Sequence, residues 1–144
     1  MRDQKLQKVY PFLMERAMRK MKKVSTHAFK EKGWPVTIDQ WVLLKQIGDV
    51  PYISQVEVAE FTFKDPASVT RIIDQLVHKE LAFRENDAND RRRINLGLTP
   101  AGKDLYQTMI PAVQQMRKSF IEGVAEEDLE AFKRVVNRIY ENLN

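Results

Sequence analysis

The sequence contains no cysteine and only two histidines among its 144 residues. The absence of cysteine excludes disulfides, thiol-based redox sensing and zinc sites with cysteine ligands. There is also no glycine-rich phosphate loop and no H-E-x-x-H pair, and the carboxylates are scattered along polar helix faces. These absences argue against an enzyme and predict a protein that binds neither a cofactor nor a metal.

Long apolar runs are missing as well. No stretch of about 18 apolar residues is available for a membrane span, and the first residues show no apolar core of a secretory signal. The sequence therefore predicts a cytoplasmic protein with no membrane partner. Its net charge of +4 favours an anionic partner only weakly, so the distribution of charge is more informative than its sum.

The central stretch, residues 52–99, begins with signals for two short helices. Ser54 and Glu57 form an S-x-x-E capping box, which is typical of a helix start. Asp65 is a good N-cap, and Pro66 stands at the first helical position, where its missing N–H breaks no bond. An apolar stripe at helical spacing follows, formed by Val69, Ile72, Ile73, Leu76 and Val77. This order predicts a helix–turn–helix.

The second predicted helix carries short or hydrogen-bonding side chains opposite its apolar stripe. Such side chains near a helix start suit base edges in the major groove, and the helix N-terminus favours phosphate. We interpret this face and the start of the preceding helix as candidate DNA-binding residues: Ser54, Gln55, Ala67, Ser68, Thr70, Arg71, Asp74 and Gln75. Alternatively, Arg71 is a solvated helix residue, and Asp74 and Gln75 only orient Arg71 or stay in solvent.

Two short segments with alternating apolar residues, 81–84 and 94–98, follow and predict half-buried strands. The polar residues 85–93 between them combine an Asn/Asp cluster, typical of a turn, with three consecutive arginines. Arginines at a hairpin tip neutralise phosphates or enter a narrow minor groove. The candidate DNA-binding residues here are Asp90, Arg91, Arg92 and Arg93. We interpret Asp90 as the partner that holds the Arg92 side chain; the alternative is an ordinary surface ion pair.

Three motifs together resemble the MarR family of winged-helix transcription regulators. They are V-T-I-D-Q-W at 36–41, S-V-T-R-I-I-D at 68–74, and D-x-R-x5-L-T, carried by Asp90, Arg92, Leu98 and Thr99. The resemblance covers nearly the whole chain, since the flanking helices of the family also have counterparts here. One departure is Glu80, where the family often has glycine. The sequence therefore predicts that the second helix ends without an easy left-handed cap.

The flanking regions read as long helices. One is predicted over residues 6–32, with Pro11 either kinking it or marking its start. Another follows Thr99, and the last begins at Glu126 and carries an apolar seam similar to that of a coiled coil. These apolar faces exceed what a winged helix needs for its own core. The resemblance implies that the first and the last two helices intertwine with those of a second copy.

The predicted fold class is mainly α with a small β-hairpin wing. We predict one domain, 1–144, in which a winged helix-turn-helix DNA-binding region, 36–99, is flanked by dimerisation helices, 1–33 and 100–144. The predicted function is that of a sequence-specific regulator that binds double-stranded DNA at a palindromic operator, as a homodimeric repressor. The resemblance implies release by a small aromatic or anionic effector.

Tyr10, Met14 and Trp41 are the candidate effector-binding residues, although core packing is the simpler interpretation of all three. The alternative function is a winged-helix module that contacts RNA or proteins without promoter specificity, which an arginine-rich wing does not exclude.

Overall fold

A computed structural model describes residues 5–144, and residues 1–4 of the predicted N-terminal region lie outside it. The described chain forms a short 3-10 turn, Leu6–Lys8, and then six α-helices and two β-strands. The elements are α1 (Tyr10–Glu31), α2 (Ile38–Asp49), α3 (Gln55–Thr62), α4 (Pro66–His78), β1 (Ala82–Asn86), β2 (Ile94–Leu98), α5 (Pro100–Phe120) and α6 (Glu126–Asn142). This order confirms the predicted fold class of helices with a hairpin wing. In the part of the chain described, no helix is long and apolar enough to cross a bilayer.

The chain divides into two compact units, Met1–Pro111 and Ala112–Asn144, with the boundary inside α5 at its internal proline. The second unit consists of the end of α5 and the whole of α6. The first turn of α6 is acidic, as the positive end of a helix dipole favours, and none of the residues of α6 is buried. Its apolar seam is therefore at least partly exposed, with Phe132 at 55% and Leu143 at 80%.

The predicted helix starts are confirmed at atomic detail. In α2 and α3, the N-cap hydroxyl accepts from the third backbone N–H while the Gln40 or Glu57 side chain returns to the cap N–H. In α4 the Asp65 carboxylate accepts from the Ser68 N–H at 2.9 Å. The first helix begins at Tyr10 rather than at residue 6. Pro11 thus lies in the first turn, where it marks the start of the helix instead of kinking it.

The core of the first unit lies where α4 packs against α2, α3 and β1. Four of the five residues of the predicted apolar stripe of α4 are buried, and the fifth, Val77, is half-buried. The fully buried Leu43 and Leu44 come from α2. The two strands of the wing pair antiparallel, from Ala82 opposite Leu98 to Asn86 opposite Ile94. Just before α3, Ile53 and Ser54 join the edge of this hairpin, because the Leu96 N–H donates to the Ile53 carbonyl at 2.8 Å. The sequence did not predict this third strand segment, because a pair of residues shows no alternation.

The end of α4 corrects the prediction drawn from the missing glycine. Glu80 adopts the left-handed conformation at φ 58°, although it has a Cβ. The Leu81 N–H donates to the Leu76 carbonyl at 3.0 Å and the Glu80 N–H to Val77 at 2.9 Å. These are the two bonds of a Schellman motif, so the left-handed cap forms here without glycine.

A compact junction joins the ends of α4 and β2 to the start of α5. The Thr99 hydroxyl donates to the Glu80 carbonyl at 2.6 Å and accepts from the Gly102 N–H at 3.0 Å. The Thr99 N–H donates to the Leu81 carbonyl at 3.2 Å. Gly102 lies so close that a Cβ there would stand 1.9 Å from the Leu81 oxygen. The position of α5 relative to the wing therefore depends on the absence of a side chain at residue 102.

Candidate nucleic-acid interface

Helix α4 separates the apolar and polar residues that the sequence assigned to its two sides. The polar side is open to solvent along the helix at Ala67, Thr70, Arg71, Asp74 and Gln75. We call these five residues the reading face. Within residues 5–144, the Arg71 guanidinium has no hydrogen-bond or ion-pair partner. It is therefore available to an external acceptor.

Both candidate serines take part in helix caps, Ser54 as the N-cap of α3 and Ser68 as the donor to the N-cap Asp65 of α4. Ser54 is only 5% exposed, and its hydroxyl accepts from the Glu57 N–H at 3.1 Å. The Ser68 hydroxyl donates to Asp65 at 2.6 Å, and this bond with that of the Ser68 N–H holds the pKa of the Asp65 carboxyl below its usual value. Burial leaves Ser54 little access to a duplex, so it does not enter the surface proposed below.

Three candidate residues meet at a residue that the sequence did not single out. The Gln55 side chain donates to the Thr70 hydroxyl at 2.8 Å. Arg84, on β1, donates to the Gln55 amide oxygen at 3.2 Å and to the Asp74 carboxylate at 2.6 Å. The only sequence signal for Arg84 was a polar residue in an alternating strand, and that signal names no partner on α4.

Gln75 belongs to a second polar group, at the C-terminal part of α4. Its amide oxygen accepts from the Gln40 side chain at 2.9 Å. The Lys79 ammonium donates to the other end of that Gln40 amide at 2.7 Å and to the Pro35 carbonyl at 2.7 Å. Gln75 therefore ties α4 to α2, which leaves only part of its amide for other contacts.

The three consecutive arginines of the wing have different environments. Arg93 points back toward α3, where it donates to both Glu57 oxygens at 2.9 and 3.2 Å. It also donates to the Asn95 side chain at 2.8 Å and to the Tyr52 carbonyl at 3.1 Å. The hydrogen bond from Arg93 is the main cause that holds the pKa of Glu57 below its usual value. Arg93 therefore joins the wing to α3, whereas Arg91 and Arg92 are exposed.

The backbone of the wing tip is fixed by two aspartates. Asp87 accepts from the Asn89 and Asp90 N–H groups at 2.9 and 3.1 Å. Asp90 in turn accepts from the backbone N–H of Arg92 at 2.9 Å. The prediction that Asp90 holds the Arg92 side chain is therefore wrong, because an Asx turn satisfies the carboxylate first. Over residues 5–144, the guanidinium groups of Arg91 and Arg92 have no partner.

We expect Arg93→Ala to destabilise the protein, because Glu57 loses the guanidinium and keeps only the Ser54 N–H as a donor, while the Asn95 side-chain oxygen loses its donor. The thermal unfolding midpoint should fall by roughly 3–6 °C, whereas Arg91→Ala, from the exposed tip, should change it by about 1 °C or less. Glu57 has a lowered pKa in the folded state, so its contribution is complete above pH 4.5 and is lost as the pH falls further. The difference between wild type and Arg93→Ala should accordingly narrow in acid. If wild type and Arg93→Ala had equal unfolding midpoints at neutral pH, Arg93 would not stabilise the junction between the wing and α3.

A cleft of about 430 Å³ opens between the end of α2, the wing and the start of α5. Its walls include Tyr52, Phe83 and Tyr106, with Lys103 at one side. The candidate effector residues lie elsewhere: Trp41 is 6% exposed and belongs to the core, Tyr10 is 64% exposed, and Met14 is half-buried. None of these three residues lines this cleft.

Tyr106 forms one wall of the cleft and is anchored to α2. Its hydroxyl donates to the Asp49 carboxylate, and the Lys45 ammonium lies 5.7 Å from the ring centroid. Gly48 allows this approach, since a Cβ there would stand 2.5 Å from the ring. The bond to Asp49, together with burial, raises the pKa of Tyr106 from 10.0 to about 12.

We expect Tyr106→Phe to remove an ionisation near pH 12 from the absorbance titration of the four tyrosines. A folded-state pKa above the unfolded value means that Tyr106 contributes stability below pH 10 and loses that contribution as the pH rises toward 12. Wild type should therefore lose more stability than Tyr106→Phe across this interval. Superimposable titrations of the two proteins, after scaling for the number of tyrosines, would rule out the bond to Asp49.

Residues 36–94 match the model of the MarR family. HosA from Escherichia coli O127:H6, a transcriptional regulator, is 27% identical over 104 residues, which span 72% of this chain and 77% of HosA. Two solved structures share the fold at lower identity. MepR of S. aureus, solved in complex with DNA, has a TM-score of 0.86 at 22% identity and covers 94% of this chain and 99% of its own. BpsR of Bordetella bronchiseptica, whose DNA binding is regulated by 6-hydroxynicotinic acid, has a TM-score of 0.85 at 24% identity. The match covers 96% of this chain and 97% of the BpsR chain.

Proposed function

Because this chain belongs to the MarR family of transcriptional regulators, which are not enzymes, we propose that it is a homodimeric repressor of the winged-helix type. It binds a palindromic operator in double-stranded DNA and is released by a small aromatic or anionic effector. MepR, which shares the fold, was solved with DNA, and BpsR responds to an aromatic acid. These relatives support the choice of duplex over RNA or protein as the partner.

One observation supports DNA binding most directly: three arginines without partners lie on the two elements that a winged helix brings to a duplex. Arg71 is free on the reading face, and Arg91 and Arg92 are free at the wing tip. A helix in the major groove and a hairpin tip on the adjacent backbone or minor groove use such side chains. The remaining arginine of the run is held by Glu57, so the wing tip keeps a defined position while it offers two cations.

The cleft beside Tyr106 is a better candidate for the effector-binding site than the positions of Tyr10, Met14 and Trp41. It is lined mainly by apolar and aromatic side chains, so it fits a flat ring, and its charged lining residues are Lys103 and Glu85. An anionic group on the ring would pair with Lys103. Trp41, by contrast, is part of the core. A compound that binds in this cleft is expected to protect Lys103 from acetylation and to weaken DNA binding, both over the same range of compound concentration.

The test uses duplexes that the wild-type protein enriches from sheared genomic DNA, with a scrambled duplex as reference. A bidentate arginine–guanine contact gives roughly 1–3 kcal/mol of discrimination. Arg71→Ala should therefore weaken the enriched duplex about 5–150-fold more than the scrambled one. The matched control is Arg16→Ala, since Arg16 is an exposed arginine of α1. Affinities are measured by fluorescence anisotropy with RNA of the same sequence as competitor.

The outcomes separate the possible functions. Equal losses on both duplexes would reassign Arg71 to a phosphate contact. If RNA competed as well as the enriched duplex, the alternative of an RNA-binding winged helix would be favoured. If no DNA was enriched at all, the proposed function would be wrong.

A further inference from the structure

We propose that Arg84 is a positioning residue that sets both the charge and the hydrogen-bonding pattern of the DNA-binding surface. This inference rests on the DNA-binding function proposed above. Arg84 lies on β1, next to the reading face and away from the wing tip, and its side chain is 29% exposed. Its role follows from the three elements that its guanidinium joins.

The guanidinium of Arg84 connects α3, α4 and the wing at one point. Its Nε donates to Gln55 at the start of α3 at 3.2 Å. Its Nη2 donates to Asp74 on α4 at 2.6 Å and makes a longer contact to the Thr70 carbonyl at 3.4 Å. The planar fork of arginine serves several acceptors in a fixed geometry, which a lysine ammonium does not reproduce.

The first consequence concerns charge. Asp74 is a carboxylate on the reading face, one helical turn from Thr70, and its side chain is 59% exposed. An unpaired carboxylate on a surface that approaches phosphates repels any duplex, whatever its sequence. The bond to Arg84 neutralises this charge without placing a cation at the tip of the face. The nearest cation on the face itself is Arg71, three residues before Asp74 on α4, which remains available for DNA.

The second consequence concerns the orientation of an amide. The Gln55 oxygen accepts from Arg84 while its NH₂ group donates to the Thr70 hydroxyl at 2.8 Å. The Thr70 hydroxyl in turn donates to the Pro66 carbonyl at 2.9 Å. Arg84 therefore fixes which side of the amide is donor and which is acceptor. Without the guanidinium, the amide can reverse, and it then no longer distinguishes donor from acceptor groups on base edges.

The experiment compares four variants on the enriched and the scrambled duplex across a series of salt concentrations. Arg84→Met keeps the length of the stem and removes the charge and the donors. Arg84→Lys keeps the charge and loses the fork. Asp74→Asn, alone and combined with Arg84→Met, removes the carboxylate. Thermal unfolding of each variant establishes that it is folded at the assay temperature.

Arg84→Met should lower the affinity for the scrambled duplex about tenfold at low salt, and the salt slope of binding should be smaller by about one. The affinity for the enriched duplex should fall about fivefold further than the affinity for the scrambled duplex. Adding Asp74→Asn should restore the scrambled duplex to about the wild-type affinity, but not the preference for the enriched one. Arg84→Lys should bind the scrambled duplex like wild type and still lose preference. Because stability alone cannot produce this split between charge and preference, the pattern distinguishes positioning from folding.

Two results would overturn the inference while leaving the proposed function intact. In one, wild type enriches DNA and Arg84→Met keeps the full preference for the enriched duplex. In the other, adding Asp74→Asn to Arg84→Met does not restore affinity for the scrambled duplex, which means that the Asp74 carboxylate is not the charge that Arg84 neutralises. Failure of wild type to enrich DNA would instead remove the proposed function and this inference with it.

Discussion

Phe132→Glu is expected to convert the protein from a dimer to a monomer. In size-exclusion chromatography with light scattering, wild type should have twice the chain mass of 16.9 kDa, and the variant should approach the mass of one chain. None of the residues of α6 is buried within the chain, and Phe132 stays 55% exposed on its apolar seam. Such a seam needs a partner, and a carboxylate placed in an apolar interface between two copies would have to lose its hydration, which is costly.

The same substitution should strongly reduce operator binding. A dimer holds two reading faces at a fixed separation, and linkage of two half-site contacts raises affinity about 10²–10⁴-fold over one. The variant should lose this factor on a palindromic duplex and keep the weak binding of a single half-site. Phe61→Glu is the matched control for the light-scattering measurement, since Phe61 is 66% exposed on α3. This variant should keep the mass of the wild-type dimer. A monomeric wild type, or a Phe132→Glu protein that remains dimeric, would contradict the proposed interface.

Among substitutions that add a single methyl group near the wing, Gly102→Ala is expected to be the most destabilising. The added Cβ would stand 1.9 Å from the backbone oxygen of Leu81, which is not the flexible end of a side chain and cannot turn away. Relief requires α5 to move from the strand end, and this movement breaks the bond from Gly102 to Thr99. Overpacking costs about 1–3 kcal/mol, and a lost buried hydrogen bond adds about 1 kcal/mol. We expect a loss of about 2–4 kcal/mol, measured by denaturant unfolding.

Ala101→Gly is the control for this experiment. It changes the neighbouring exposed residue at the start of the same helix, and helix propensity predicts a loss of only about 1 kcal/mol. If Gly102→Ala proved no more damaging than Ala101→Gly, the close approach of α5 to Leu81 would not contribute to stability. A cooperative transition at lower denaturant, with an unchanged slope, is the expected form of the result.

The sequence predicted what is decided locally. The capping boxes at Thr37 and Ser54, the Asp65 cap and the stripe of α4 depend on residues three or four positions apart, and each was confirmed. The family motifs predicted the fold correctly. The left-handed cap at Glu80 was missed because residue type usually decides such a cap, whereas here the Schellman bonds impose the conformation on glutamate.

The contacts that position the candidate site could not be predicted, because they join residues far apart in the chain. Arg93 is one of three identical side chains, and only the approach of Glu57, 36 positions earlier, distinguishes it from Arg91 and Arg92. Arg84 reaches Gln55 across 29 positions. Hydrophobic periodicity and local motifs carry no information about such pairs. The assignment of individual residues to DNA contact therefore remains a prediction, while the division between free and engaged arginines comes from the structure.

The carboxylate of Glu57 has a consequence for how this region opens and closes. One oxygen accepts from the Ser54 N–H at 2.9 Å, which begins α3, and the same group holds Arg93 of the wing. Fraying of the helix start and detachment of the hairpin therefore break the same ion pair. Segments that share their stabilising contacts open as one cooperative unit, with a common opening free energy in amide hydrogen exchange. The hairpin of this protein is accordingly not an independent flap: its base opens together with α3, and only the tip around Arg91 and Arg92 is free to adapt on its own.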